Sequence, residues 1–453
     1  EYFDVLGRNI QTESERFDGN ILTSKKTYNA KGQLTRYDLP HSGGTQLASN
    51  YTYDNYGRLL NEIAPNNESI TYEYNGLTSS IIKGSNNDRR KTSQTTDASG
   101  AVISITELAG TNNSSTITYE YHKCGKPKKI ITSESTVEMD YDNFGRQLFL
   151  KDPDAGTITY DLYSPFGELM SQTDSRGNNF TMEYDKLGRI KKKTGQEETI
   201  NYTYDTQPMG KGLAASVLSS SGMSISYTYD NFSRIKDIKE TIDGTDYTTS
   251  SEYDIHNRHT KFTYPGGFSI KNSYKTNGYL EMILKGSDES LIWKCNAMND
   301  KNQITRSEGG NGLNLINNYS DVGFLNDITA DNEAIYNFNN FNQITGNLDS
   351  RQAFGPVENF SYDNFDRLEA INPVNNSKNF IYSASGNITS KVDVGTYEYE
   401  LPKPHAVSGI QSPQNIPLLT QDITYNSFNK VSSISEGINN LSILYGPDQQ
   451  RRK

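Results

Sequence analysis

An aspartate and an arginine stand four residues apart again and again along this chain. The pairs include Asp4 and Arg8, Asp54 and Arg58, Asp142 and Arg146, Asp185 and Arg189, Asp230 and Arg234, and Asp363 and Arg367. A carboxylate beside a guanidinium could grip an anion or polarise a substrate. The same two side chains could instead clasp a turn, with Asp accepting backbone N–H bonds and Arg laid along the neighbouring strand. Catalysis needs one constellation, not a dozen evenly spaced copies, so the spacing favours the clasp.

Other residues with chemical potential do not assemble into a site. His256 and His259 are three apart inside one such motif, but two ligands without a placed third do not specify a metal. Gly210-Lys211-Gly212-Leu213-Ala214-Ala215 has the letters of a dinucleotide loop. Pro208 before it and a Ser-rich alternating run after it deny the strand–turn–helix that such a loop requires. Asp152-Pro153-Asp154 lacks the acidic spacing of a calcium loop. Trp293, beside Leu291 and Ile292, reads as core. Cys124 and Cys295 form no Cys-x-x-Cys pair and no disulfide framework. The expectation is no catalytic, cofactor-binding or metal-binding residue and no cofactor.

Composition narrows the class. The 453 residues carry a net charge of −11 and include 31 Tyr and 17 Phe, with only 33% of residues in the hydrophobic set. An acidic chain repels phosphate backbones, so nucleic acid is excluded as a partner. The basic runs Lys126-Pro127-Lys128-Lys129 and Lys191-Lys192-Lys193 are short and read as solvated strand faces. No apolar run approaches the ~18 residues of a membrane-spanning helix. So many aromatic rings argue against disorder. The chain opens on Glu1, and it is expected to be a fragment of a longer one.

The elements that position the pairs follow from their flanks. The full motif reads Phe3-Asp4-Val5-Leu6-Gly7-Arg8, Tyr53-Asp54-Asn55-Tyr56-Gly57-Arg58, Tyr141-Asp142-Asn143-Phe144-Gly145-Arg146 and Tyr184-Asp185-Lys186-Leu187-Gly188-Arg189. At Tyr229–Arg234, Tyr253–Arg258 and Tyr362–Arg367 the glycine gives way to Ser233, Asn257 and Asp366, which also tolerate turns. Before the motif lie runs such as Ile70-Thr71-Tyr72-Glu73-Tyr74 and Ile225-Ser226-Tyr227-Thr228-Tyr229. Period-two alternation of this kind is a half-buried strand. Asp supplies the turn, Gly its final position or a left-handed bulge, and Arg-Leu or Arg-Ile opens a second strand. One period is one β-hairpin.

Some twenty periods give about forty strands, or ~190 Å of ribbon at ~4.8 Å per strand. An open sheet seldom exceeds about ten strands without curling. The fold expected is therefore all-β: a spiralling strip of antiparallel hairpins that coils on itself as a thin shell with two wetted faces. Residues 1–453 read as one continuous array, with 83–115 and 401–420 as irregular insertions.

The Tyr-Asp-x-x-Gly-Arg copies resemble the YD repeats of Rhs proteins, of the B and C components of insecticidal toxin complexes, and of teneurins. Tyr204–Leu213 resembles a Gly-x-Gly-Leu variant found between YD repeats. Pro404-His405-Ala406-Val407 and Tyr445-Gly446-Pro447-Asp448 resemble the last stretch of a bacterial Rhs shell. The resemblance implies a hollow β-cocoon enclosing a C-terminal toxin of the same parent chain, delivered by a secretion or injection apparatus. The self-cleaving core of that family is not recognisable before Lys453, so no protease residue is carried over.

The function expected is thus a non-enzymatic shell segment of a secreted bacterial polymorphic toxin, with its C-terminal cargo and the delivery machinery as partners. The location expected is secreted or at the cell surface. A cell-surface adhesion or carbohydrate-binding protein is the first alternative, and a β-helical polysaccharide-active enzyme the second.

Overall fold

The computed structural model describes residues 1–43, 46–84, 89–372, 377–416 and 420–453. Among them there are 41 strands and no helix. From Tyr2–Phe3 to Val407–Gln411, thirty-eight strands form one sheet in which each pairs antiparallel with its neighbours in sequence. The pairing of Asn50 with Ile63 and of Tyr53 with Leu59 is typical, with the register shifting just before the tyrosine. Three further strands, Gln421–Tyr425, Val431–Glu436 and Asn439–Ser442, form a separate small sheet.

The stretch 83–115, expected to be an irregular insertion, holds two strands of the large sheet. Arg90–Thr96 pairs with Thr78–Lys83 on one side and with Val102–Glu107 on the other. Its pattern is carried by Thr, Ser and Gln in place of aromatics, so the alternation lacks contrast although β-branched residues still suit the pleat. Positions 85–88 lie outside the described residues. Within 401–420, Val407–Gln411 pairs with Gly395–Tyr399, and 417–419 lie outside the described residues. Continuous strand pairing ends at Gln411.

Successive turns alternate between the two long edges of the strip. One edge carries the turns Asp4–Arg8, Asn29–Gln33, Asp54–Arg58 and their successors, and is called the YD edge below. The opposite edge carries turns such as Arg16–Asn20, Ala64–Glu68 and Asp174–Asn178. The strip coils so that the opposite edge of the first coil meets the YD edge of the second. Arg16, after the second strand, thereby meets Asn277, after the twenty-fifth. At ~4.8 Å per strand, one coil measures ~110 Å around and ~35 Å across.

The two faces differ in chemistry. The face opposite the motif tyrosines carries cross-strand ion pairs, among them Lys91–Glu73, Lys192–Glu183 and Lys261–Glu252. The tyrosine face holds the thin core. Phe180, Met182, Ile200, Ala215 and Ile225 are buried there. The Phe428 ring of the small sheet's first turn lies 5.2 Å from that of Phe180.

Candidate functional site

The repeat turn is built the same way at each strict motif. At Asp54, Oδ1 accepts the N–H of Tyr56 (2.9 Å) and of Arg58 (2.9 Å), and Oδ2 accepts Arg58 Nε (2.7 Å). The backbone closes with Asp54 N–H on the Arg58 carbonyl and Gly57 N–H on the Asp54 carbonyl. Gly57 sits at φ +87°, the left-handed bulge position that follows a type I turn. Asp4, Asp142, Asp185, Asp230 and Asp363 bind Arg8, Arg146, Arg189, Arg234 and Arg367 through Nε at 2.6–2.7 Å. Gly7, Gly145 and Gly188 are also left-handed, as are Ser233, Asn257 and Asp366. The bonds from the Arg8 guanidinium and from the backbone N–H groups of Arg8 and Leu6 hold the Asp4 carboxyl below its ordinary value. With both carboxylate oxygens and Nε engaged, these pairs hold a turn and present no free acid or base.

The motif tyrosine reaches further than its own hairpin. Tyr53 donates its hydroxyl to the Leu34 carbonyl at 2.7 Å, Tyr141 to Pro127 at 3.0 Å and Tyr184 to Leu169 at 2.7 Å. Tyr229 does the same to Ala214 at 2.6 Å and Tyr362 to Leu348 at 3.0 Å. Each acceptor opens the strand after the preceding turn on the YD edge. The preceding arginine then lies over the next tyrosine ring, Arg189 over Tyr204 at 4.3 Å and Arg367 over Tyr382 at 4.5 Å. Desolvation raises the pKa of Tyr184, Tyr229 and Tyr362, which keeps them donors. The alternation places these tyrosines on strands, but their partners, 14–19 residues back, are residues as varied as Leu34, Pro127 and Ala214, so no residue type in the sequence marks this link.

The seam between coils is the second element. Arg16 Nη1 pairs with Asp300 (2.6 Å) and Nη2 with the Met298 carbonyl (3.0 Å), and Ser42 N–H donates to Asp300 (2.8 Å). Further along, Asn66 donates to the Gln343 carbonyl, Arg90 pairs with Asp366, and Ser385 donates to Glu134. His405 N–H donates to Asp154, Ser427 N–H to Glu197, and Asn429 to Asp174. Arg452 and Lys453 close it on Glu240 and Asp243. The Phe17 ring lies edge-on to Tyr279 at 5.9 Å, with Lys275 Nζ 4.3 Å above it. An open cleft of about 620 Å³ interrupts the seam between Asn112–Ser115 and the Asp363–Arg367 turn.

The remaining sequence candidates fall into the same framework. His256 donates its N–H to Asp254, and the His259 ring packs on Tyr253 at 4.4 Å. Gly210 and Gly212 lie in the connection between the strands Thr199–Tyr204 and Ala214–Ser219. Asp152 caps its own turn through the N–H groups of Asp154 and Ala155. Trp293 faces Ile283 and Gly309 across its strand. His122 replaces Asp in one YD-edge turn and holds Cys124 Sγ at 3.0 Å from Nδ1. Among the described residues, no three His, Cys, Asp or Glu side chains converge on one point.

No protein-family model matches the chain, and no curated protein matches it in sequence. Solved structures do match its fold. A crystal structure of TcdB2-TccC3 superposes with a TM-score of 0.82 at 15% identity, covering 99% of this chain and 30% of that one. The same protein without its hypervariable C-terminal region gives 0.81 at 14% identity, covering 99% and 29%. A mutant Tc holotoxin pore from Photorhabdus luminescens gives 0.77 at 14%, again over 99% and 29%. The chain thus spans about three tenths of the length of the chains it matches. The described residues share the fold of these Tc toxin components.

Proposed function

We propose that this chain is a wall segment of a secreted bacterial Rhs-type toxin, enclosing an effector carried C-terminally on the same parent chain. The role is steric and non-enzymatic: a coiled wall keeps the cargo apart from solvent and proteases until a delivery apparatus releases it. The observation that carries this reading is the seam. A strip that lays one edge along its own other edge encloses a volume, which an open sheet cannot do. The engaged state of every Asp–Arg clasp supports a structural role for the motif, and the likeness to Tc toxin components supports the toxin context. The location that follows is outside the producing cell or at its surface.

Protease protection tests the proposal. The parent polypeptide, extended past Lys453, is digested beside its isolated C-terminal region. The tail of the intact protein is expected to survive at least ~10-fold longer, since cleavage then requires opening of the wall. Equal cleavage rates would overturn the enclosure.

A further inference from the structure

Direct bonding across the seam lapses at the cleft beside Asn112–Ser115. On one side of it Arg90 pairs with Asp366, and on the other Ser385 donates to Glu134. Between these contacts lies the first-coil connection 108–114, which joins Val102–Glu107 to Ser115–Tyr121 and is longer than the turns at Arg16–Asn20 and Asp174–Asn178. It is tied back to its own coil: Ala109 N–H donates to the Lys91 carbonyl (2.9 Å), and Thr111 Oγ1 to the Leu108 carbonyl (2.8 Å). Among the described residues it makes no hydrogen bond to the second coil. What remains is the cleft of about 620 Å³ facing the turn Asp363–Arg367. One coil supplies each wall, so neither outer edge of the strip takes part.

The lining has a definite chemistry. Asn112, Asn113, Ser133, Asn364 and Glu369 line the cleft, and their side chains have no hydrogen-bond partner among the described residues. Amides and hydroxyls both donate and accept, and a carboxylate accepts through two oxygens. The Phe365 ring, with Arg367 5.0 Å over it, adds a fixed apolar surface. An aromatic surface among uncharged donors and acceptors suits a ligand rich in hydroxyls with apolar C–H faces. The volume falls within the range of about 300–1,000 Å³ of small-ligand clefts. An anion does not fit, because Asp363 already holds Arg367 and Glu369 carries an unpaired carboxylate. An added peptide strand needs an unpaired sheet edge. Here the wall closes on itself, with Asp363 N–H on the Arg367 carbonyl and Asp366 N–H on the Asp363 carbonyl. We propose that the cleft binds a short neutral oligosaccharide, gripped between the two coils. The site is independent of any cargo.

Isothermal titration of the 453-residue chain tests this with lactose, maltotriose, cellotriose and tri-N-acetylchitotriose, beside the acidic digalacturonate. At least one neutral sugar is expected to bind with a Kd of about 1 mM or tighter, and digalacturonate to bind more weakly. Asn113→Ala with Glu369→Ala removes two of the free polar groups and is expected to weaken that sugar at least ~10-fold. Both side chains are exposed, and an unchanged thermal melt of the free variant verifies folding. Because the ligand bridges the coils, saturating sugar should slow hydrogen exchange near 108–116 and near 363–369 together. Absence of such binding by every neutral sugar would overturn the proposal, as would tighter binding of digalacturonate. Unchanged affinity in the double variant, or protection gained only elsewhere in the chain, would overturn it too.

Discussion

The guanidinium of Arg58 lies 4.2 Å over the ring of Tyr74, and the Tyr74 hydroxyl donates to the carbonyl of Leu59, the residue after that arginine. One side chain is thus held at both ends by the preceding hairpin. The relation recurs along the strip, with Arg8 over Tyr28 at 4.7 Å and Tyr28 bonded to Asn9, and with Arg258 over Tyr274 at 4.4 Å and Tyr274 bonded to His259. It turns a series of local hairpins into a wall with fixed spacing.

Tyr74→Phe removes the hydroxyl and keeps the ring under Arg58. The expected cost is about 1 kcal/mol, the net worth of one such bond. Hydrogen exchange should quicken locally, in the strand Leu59–Ile63, and leave distant hairpins unchanged, because repeat arrays respond through nearest neighbours.

Gly57→Val forces a β-branched residue to φ +87°. A loss of about 1 kcal/mol or more is expected from the left-handed backbone alone. A thermal melt identical to wild type would show that this turn does not need glycine.

Arg16→Ala cuts the bonds to Asp300 and to the Met298 carbonyl across the seam. Asp300 keeps its bonds from Ser42, so losing the guanidinium is expected to cost about 1 kcal/mol. The signature is joint: amides near 16–20 and near 298–303 should lose protection together, although they are far apart in sequence.

Acid should loosen the seam at Asp174. Burial there raises the carboxyl's pKa, but bonds from the Asn178 side chain and N–H, the Arg176 N–H and Asn429 outweigh it and leave the pKa below its ordinary value. The folded pKa being depressed, the stabilisation is present above the unfolded value of about 3.9 and is lost as pH falls through the folded one. Melts between pH 5 and pH 2 should therefore drop more steeply for wild type than for Asp174→Asn, whose side chain does not titrate.

The hairpin strip was legible because turn chemistry is local: Asp54, Gly57 and Arg58 lie within five residues and the strands alternate around them. Where glycine is absent, the replacements do more than tolerate the turn. Asp366 reaches Arg90 across the seam, and Asn257 accepts from Arg234. None of that shows in one sequence, since Arg16 and Asp300 are 284 residues apart and share no spacing rule. The strand Arg90–Thr96 was hidden for another reason: its Thr, Ser and Gln alternate with too little contrast in hydrophobicity to mark a face.

The coil itself is most directly tested by joining its two turns. Ser42 Oγ lies 2.9 Å from Asp300 Oδ1, 258 residues away in sequence. In a Ser42→Cys, Asp300→Cys variant under mild oxidation, the coiled strip predicts a 42–300 disulfide within one chain, identified by peptide mapping. Two free, maleimide-reactive thiols at these positions in the folded protein would contradict it.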